Sequence, residues 1–343
     1  MIRLHRNYVR AVRQARAAQD LFGPLQNAIE LEHSTIPPYF TATASLVAGK
    51  NEAIAGLIRG ITMQEMLHMC IASNILIAIG GQPQINRPGF VPAYPGPLPM
   101  HIGGPDFTVG IEAFSRDLVK QVFMQIEEPE VPIPVNEKAE IEPEYETIGA
   151  FYRALQAKIV ELGDGIFEPS SLPRQVVEGN WFPPDQLFPI TGADSAVRAI
   201  DIIVLQGEGS SSSPYESPDV LAHFYRFGEI HAGRALVKTP DGYAYAGAPI
   251  PFDDNGVYPL RPNCKLAQFT PGTQAHTRLA QFIYSYNSLL NALHTCFNGQ
   301  PGRLDAAIGL MYSLRIEAVA LVQTPVAPGS AQNVGPSFEY MQT

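Results

Sequence analysis

The chain has 343 residues, 45% of them hydrophobic and 16% charged, which is enough for a substantial core and excludes a disordered chain. Its formal charge is −10, from 23 Lys+Arg against 33 Asp+Glu, and no basic cluster beyond the N-terminus would track a phosphate backbone, so nucleic acid is not expected as a partner. Cys70, Cys264 and Cys296 are odd in number, far apart and in no CxxC spacing, which argues against a disulfide framework or a zinc–thiolate site and for a reducing, cytoplasmic compartment.

The N-terminal stretch MIRLHRNYVRAVRQARAAQD holds five arginines before its first acid, Asp20. It lacks the apolar core of a secretory signal and has no serine, so an amphipathic arm packed on the domain is expected over an organelle transit peptide. Helical periodicity runs from Pro24 to about Val47 and from Asn51 to Ile79, with a turn at Gly49-Lys50 and a stop at Gly80-Gly81, which predicts an antiparallel pair. Residues 81–144 change to proline-rich loop, QPQINRPGFVPAYPGPLPMHIGGP among it, with one helical stretch near Ile111 to Gln125. A structured insertion of that length is expected as a lid or binding loop. Helices return at Thr147–Leu162, at Ala193–Leu205 and, after the Ser-rich GEGSSSSPYESP, at Asp219 to about Val237. Thr239 to Pro271 reads as turns and short extended pieces, before helices at Ala275–Phe297 and Leu304–Thr324. No apolar run approaches the ~18 residues of a membrane span. The pattern predicts one all-α domain over 1–343: a four-helix bundle from about 24–80, 147–162 and 193–237, the Pro-rich insertion 81–144, and additional C-terminal helices over 275–324.

The chemistry starts with where charges fall on the first two helices. Leu25, Ile29, Glu32, Ile36 and Tyr39 share one face of the first, while Gln26, Glu30 and His33 lie on another, His33 being expected as an exposed partner of Glu30. On the second, Ile58, Ile61, Glu65, His68, Ala72, Ile75 and Ile79 form a stripe, with Met66 and Met69 beside it and Met63 nearby as adaptable packing. Glu32, Glu65 and His68 therefore face an apolar core with no Lys or Arg in the stripe to pair with them. A buried, unpartnered carboxylate costs several kcal/mol or titrates to neutral, and a bound cation resolves the conflict most simply. Glu65 and His68 stand at i, i+3, so both side chains can converge on one ion, the Glu-x-x-His unit of carboxylate-rich metal bundles. Such ligands suit iron or manganese, with zinc compatible.

The segments LQNAIELEHSTIPPYF, ITMQEMLHMCIASNILIAIGGQP, PAYPGPLP, TIGAFYRAL, IIVLQGEGS, LAHFYRFGEI and FNGQPGRLDAAIGLMYSLRIEAVALVQTP followed by GPSFEY cover nearly the whole chain. In them the chain resembles the ferritin-like family that includes the iminophenylpyruvate dimer synthases of bisindole pigment and antibiotic pathways. The resemblance implies metal roles for Glu32, Glu65 and His68, and adds Glu208 and His223 on the far side of the site. Each has a plainer alternative: Glu208 as an exposed loop acid just past a helix end, His223 as a polar residue beside Asp219 and Arg226, with Asp219 opposing a helix dipole. A full two-metal bundle would need a second Glu-x-x-His, but Val220 stands three residues before His223 and Ala150 occupies N3 of the helix capped by Thr147, so a single ion shared across the bundle is expected. Gln156 and Glu161 are the remaining polar candidates on that helix. His276 and His294 are expected as capping or surface residues.

The resemblance implies an oxidoreductase whose iron, mono- or dinuclear, activates oxygen or peroxide to oxidise or couple an amino-acid-derived imine or similar small aromatic molecule. The alternative is a metal-binding or structural protein without turnover. Phe90, Tyr94 and Met100 of the insertion are expected to line an aromatic pocket over the metal, with the tip at Tyr94-Pro95-Gly96 outside the helices that hold it. A small-molecule partner is expected, and the sequence is compatible with a homo-oligomer.

Overall fold

The computed structural model describes residues 6–104, 106–129, 133, 147–177, 180–210 and 213–341. Parts of the expected arm, insertion and Ser-rich loop lie outside the described residues. The arm begins as helix α1 (Arg6–Gln14), which buries Val9 and Val12. Helices α2 (Phe22–Ala44) and α3 (Glu52–Ala78) form the expected antiparallel pair. A composite helix α4 over 116–126, with a π-helical turn at its centre, lies in the insertion. Then follow α5 (Ile148–Leu162), α6 (Ala193–Glu208), α7 (His223–Ala232), α8 (Gln274–Phe297) and α9 (Leu304–Val322).

Local chemistry sets these boundaries. The end of α3 is a Schellman motif: Gly80 takes φ +89°, its N–H bonds Ile77 O, and Gly81 N–H reaches back to Leu76 O. The Thr147 hydroxyl accepts from Ala150 N–H at the start of α5. Pro37 and Pro38 lie inside α2. Pro38 has no N–H, so the Ser34 carbonyl loses its helical donor. The Tyr94 hydroxyl takes that place at 2.6 Å. A proline pair in α2 thus makes the acceptor on which the insertion docks.

The pair α5/α6 packs beside α2/α3, with α6 against α3 and α1 along α5, which completes the four-helix core. On the opposite side, α8 and α9 pack together and cover the outer face of α2 and α3. Among the described residues, three two-stranded sheets decorate the helices. The largest is the hairpin β3 (Arg234–Thr239) and β4 (Gly242–Pro249), preceded by β1 (Tyr215–Ser217) with β2 (Val220–Leu221) and followed by a parallel pair of β5 (Leu260–Arg261) and β6 (Asn333–Val334).

Two expectations change. The helix expected from Asp219 to Val237 starts only at His223 and ends at Ala232, because β2 and β3 take its ends; Asp219 therefore caps nothing, and Val220 is a strand residue. His33 is not on a solvated face. It is buried against Phe90, with Nε2 on the Tyr286 hydroxyl at 3.0 Å, because α8 covers that side of α2. Burial pushes its pKa down to about 3, so the ring is neutral.

Candidate metal centre

Glu32 from α2 and Glu65 and His68 from α3 meet in the core, each no more than 4% exposed. His68 Nδ1 lies 3.3 Å from Glu32 Oε2 and 3.9 Å from Glu65 Oε1. His223, the first residue of α7 and fully buried, presents its own Nδ1 2.9 Å from Glu65 Oε1 and 3.3 Å from Glu127 Oε2. Glu127 follows directly on α4. Two sets of three ligand-type side chains result, Glu32/Glu65/His68 and Glu65/Glu127/His223, and Glu65 belongs to both. The two imidazoles stack with centroids 5.5 Å apart.

Each group is oriented from behind. His68 Nε2–H donates to Gln206 Oε1 at 2.9 Å, and His223 Nε2–H donates to Gln64 Oε1 at 3.1 Å. An amide oxygen can only accept, so these bonds fix the ring nitrogens that turn away from the site. Gln64 is itself held, its amide donating to both Glu216 oxygens and its oxygen accepting from Arg226. Thr35 donates to Glu65 Oε2 at 2.9 Å, Tyr39 to Glu127 Oε1 at 2.6 Å, and Tyr152 to Glu32 Oε1.

The electrostatics are unfavourable without a cation. Burial first, then the charges of Glu127 and Glu32, push the Glu65 pKa well above the carboxylate range, against the opposing pull of His68 and Thr35. Burial works against a charged His68, yet the hydrogen bond its ring N–H donates to Glu32 and the charges of Glu32 and Glu65 prevail and raise its pKa. Burial and the neighbouring carboxylates likewise raise Tyr39 and Tyr152. Buried carboxylates and imidazoles with their backs hydrogen-bonded are the donor set a hard or borderline divalent ion takes, so these clusters suit metal binding.

A cavity of about 40 Å³ lies among these residues, with Ile126–Glu128, Gly149 and Glu208 also in its wall. Glu208 is the last residue of α6 and belongs to neither cluster. Its Oε1 accepts the Gly149 N–H at 2.8 Å, at the N-terminus of α5. The acid that α5 lacks at Ala150 therefore comes from the neighbouring helix. Burial raises the Glu208 pKa to about 7, against the pull of Arg153 and that N–H.

Several expectations are corrected. Phe90, Tyr94 and Met100 are buried in the core and line no part of this cavity. The tip at Tyr94-Pro95-Gly96 does lie outside the helices that carry the clusters, and it is docked through the Tyr94 bond and a bridge between Gly96 and Val109. Met66 and Met69 face a separate apolar cavity. Gln156 bonds Asp201 and Glu161 pairs with Lys158, both away from the site, and α5 contributes Tyr152 instead. Arg226 joins Glu216 and Gln64, not Asp219. His294, beside Asn298, and His276, in the first turn of α8, belong to neither cluster, in keeping with their expected capping or surface roles. Sequence reasoning missed Glu127, although the acid pair Glu127-Glu128 closes the helical stretch it had placed in the insertion. The single-ion expectation rested on the missing acid near His223, and Glu127 supplies that acid from 96 residues away.

A helical bundle whose core carries carboxylates and histidines in overlapping clusters defines a class of metal-suited bundle proteins. The chain belongs to the Ferritin-like family, whose model matches residues 25–232. Dichlorochromopyrrolate synthase of Lentzea aerocolonigenes is 24% identical over 315 residues, covering 83% of this chain and 30% of that longer protein. The crystal structure of a ferritin like protein from Caulobacter vibrioides aligns over 93% of this chain and 97% of its own, with a TM-score of 0.62 at 23% identity.

Proposed function

We propose that this chain is a metal-dependent oxidoreductase with two ions, iron by preference, held by Glu32, Glu65, His68, Glu127 and His223, and that it oxidises or couples an amino-acid-derived imine or similar small aromatic molecule. The observation that carries the reading is Glu65, a buried carboxylate common to two ligand clusters. The substrate class rests on the resemblance of the sequence to the iminophenylpyruvate dimer synthases, and a distant relative named dichlorochromopyrrolate synthase supports an aromatic substrate.

Bound there, iron would supply redox chemistry and activate oxygen or peroxide. The protein's own part follows from its hydrogen bonds. Gln206 and Gln64 hold the imidazoles with Nδ1 inward, Thr35 fixes Oε2 of Glu65 so that Oε1 is presented to both histidines, and Tyr39 and Tyr152 steady Glu127 and Glu32. Glu208, with a pKa of about 7, holds or releases a proton at the cavity wall near neutral pH.

Metal analysis with oxygen uptake tests this. The wild type should bind close to two ions per chain, Glu127→Ala close to one, and Glu65→Ala close to none, with aromatic-substrate-dependent oxygen consumption lost in both variants. A Glu65→Ala protein that keeps its full metal content overturns the assignment. The small cavity favours a second reading, because about 40 Å³ holds ions and water but no aromatic substrate. In a metal-binding protein without turnover the stoichiometries would be the same and no substrate would raise oxygen uptake.

A further inference from the structure

On the face of α2 and α3 away from the carboxylates, two more cavities lie between the bundle and the C-terminal helices. The inner one, about 80 Å³, has His33 and Tyr286 in its wall. The outer one, about 440 Å³, opens to the surface beside Trp181, Tyr312 and Arg315. Phe40, Met66 and Met311 wall both. Methionine side chains rearrange easily, so this partition is adaptable, and the outer volume lies in the range of small-molecule sites.

Two polar features mark the ends. At the rim Lys50 pairs with Asp253 and Arg59 with Glu52, whereas Arg315, on the exposed side of α9, has no ion pair or hydrogen bond among the described residues. At the inner end His33 is 4% exposed and spends Nε2 on Tyr286, which leaves Nδ1 without a partner. A buried ring nitrogen left unpaired is costly, and a ligand group reaching it would recover that cost.

We infer that this groove binds an elongated apolar carboxylate, its charged end on Arg315, its alkyl or aromatic body between Phe40, Met66 and Met311, and a hydroxyl at its far end on His33 Nδ1. The inference does not depend on the metal reading, since no residue of the groove belongs to the carboxylate clusters.

Trp181 is the only tryptophan in the chain and stands in the groove wall, so its fluorescence reports occupancy directly. The protein as purified is titrated with ω-hydroxydecanoate, decanoate, para-hydroxyphenylbutanoate and decylamine, below their aggregation concentrations. Saturable changes are expected with the carboxylates, ω-hydroxydecanoate binding tighter than decanoate, and decylamine weakest. The relative affinity of the alkyl and aromatic hydroxy acids identifies the body. Arg315→Gln, an exposed substitution that should leave metal content intact, should weaken every carboxylate about tenfold, the value of one charge-assisted contact. The inference is overturned if no carboxylate gives a saturable change, if Arg315→Gln binds them as the wild type does, or if the Trp181 signal follows protein concentration together with a sedimentation shift, which would mean that a second copy covers the groove.

Discussion

Glu208 shows how one hydrogen bond separates two roles that look alike at the level of residue type. Its carboxylate rests on the Gly149 N–H, and a Cβ at residue 149 would stand 2.4 Å from both of its oxygens. Gly149→Ala must therefore expel Glu208 and leave the start of α5 without its anion. Loss of about 1–2 kcal/mol is expected in a denaturant titration. Metal content should be unchanged, and metal lost with it would make Glu208 a ligand. The cysteines give a second expectation. All three are buried, and burial pushes Cys70 up to about 12 and Cys296 up to about 11. Iodoacetamide at pH 8 should leave the native chain unlabelled and label all three after denaturation, because the thiolate is the reacting species. At this scale Glu65 and His68 are legible in the sequence, since their spacing and the surrounding apolar stripe lie in one helix. Tyr152, Gln64 and Gln206 are not, because nothing in a polar side chain's own helix says which neighbour it will face.

Among the elements, α7 is the one that falls short of its periodicity at both ends, and its packing explains why. The pattern continues past both ends, but Gly233 takes φ +70° and the chain turns into β3, whose hairpin folds back on the helix. The contact is close at Gly228, where a Cβ would lie 1.8 Å from the Tyr245 hydroxyl. Gly228→Ala should cost about 1–3 kcal/mol as an overpacked contact. Tyr245→Phe in the same chain removes the colliding oxygen but leaves Cζ at 2.5 Å from the new Cβ, so it should recover part of that loss, whereas Tyr245→Phe alone forfeits only a long 3.4 Å bond to the Tyr225 carbonyl. Thermal melts of the three variants read this out. His33 was misjudged for a related reason: helical periodicity assigns a face, but whether that face meets water depends on α8, more than two hundred residues later.

For the whole molecule, α3 illustrates the limit of composition. Contrary to the expectation that no stretch approaches a membrane span, α3 is by length and composition apolar enough to cross one, yet 83% of its most apolar 18 residues are buried inside the protein, and it carries Glu65 and His68. It is apolar because it is enclosed on both sides, by the bundle core and by α8 and α9. The carboxylates it helps bury repel one another, so ligand occupancy should be coupled to stability. Chelation of metal from the purified protein should lower the melting temperature by a few degrees, since ions at a hundred times their Kd contribute about 2.7 kcal/mol. Glu65→Ala should melt at one temperature with or without chelator.

The sharing of Glu65 also sets an order in time. Glu32, Glu65 and His68 all belong to the α2/α3 hairpin, a local structure complete before most of the chain has been made. Glu127 and His223 are recruited from far downstream, the second after α6 has been synthesised. Contacts between distant parts of a chain form late, and domains acquire structure as the N-terminal part emerges. During synthesis the protein therefore passes through a stage in which every residue of one cluster has been made and the other still lacks His223, and a cation captured then would wait in a half-built centre for the rest of the polypeptide to close over it.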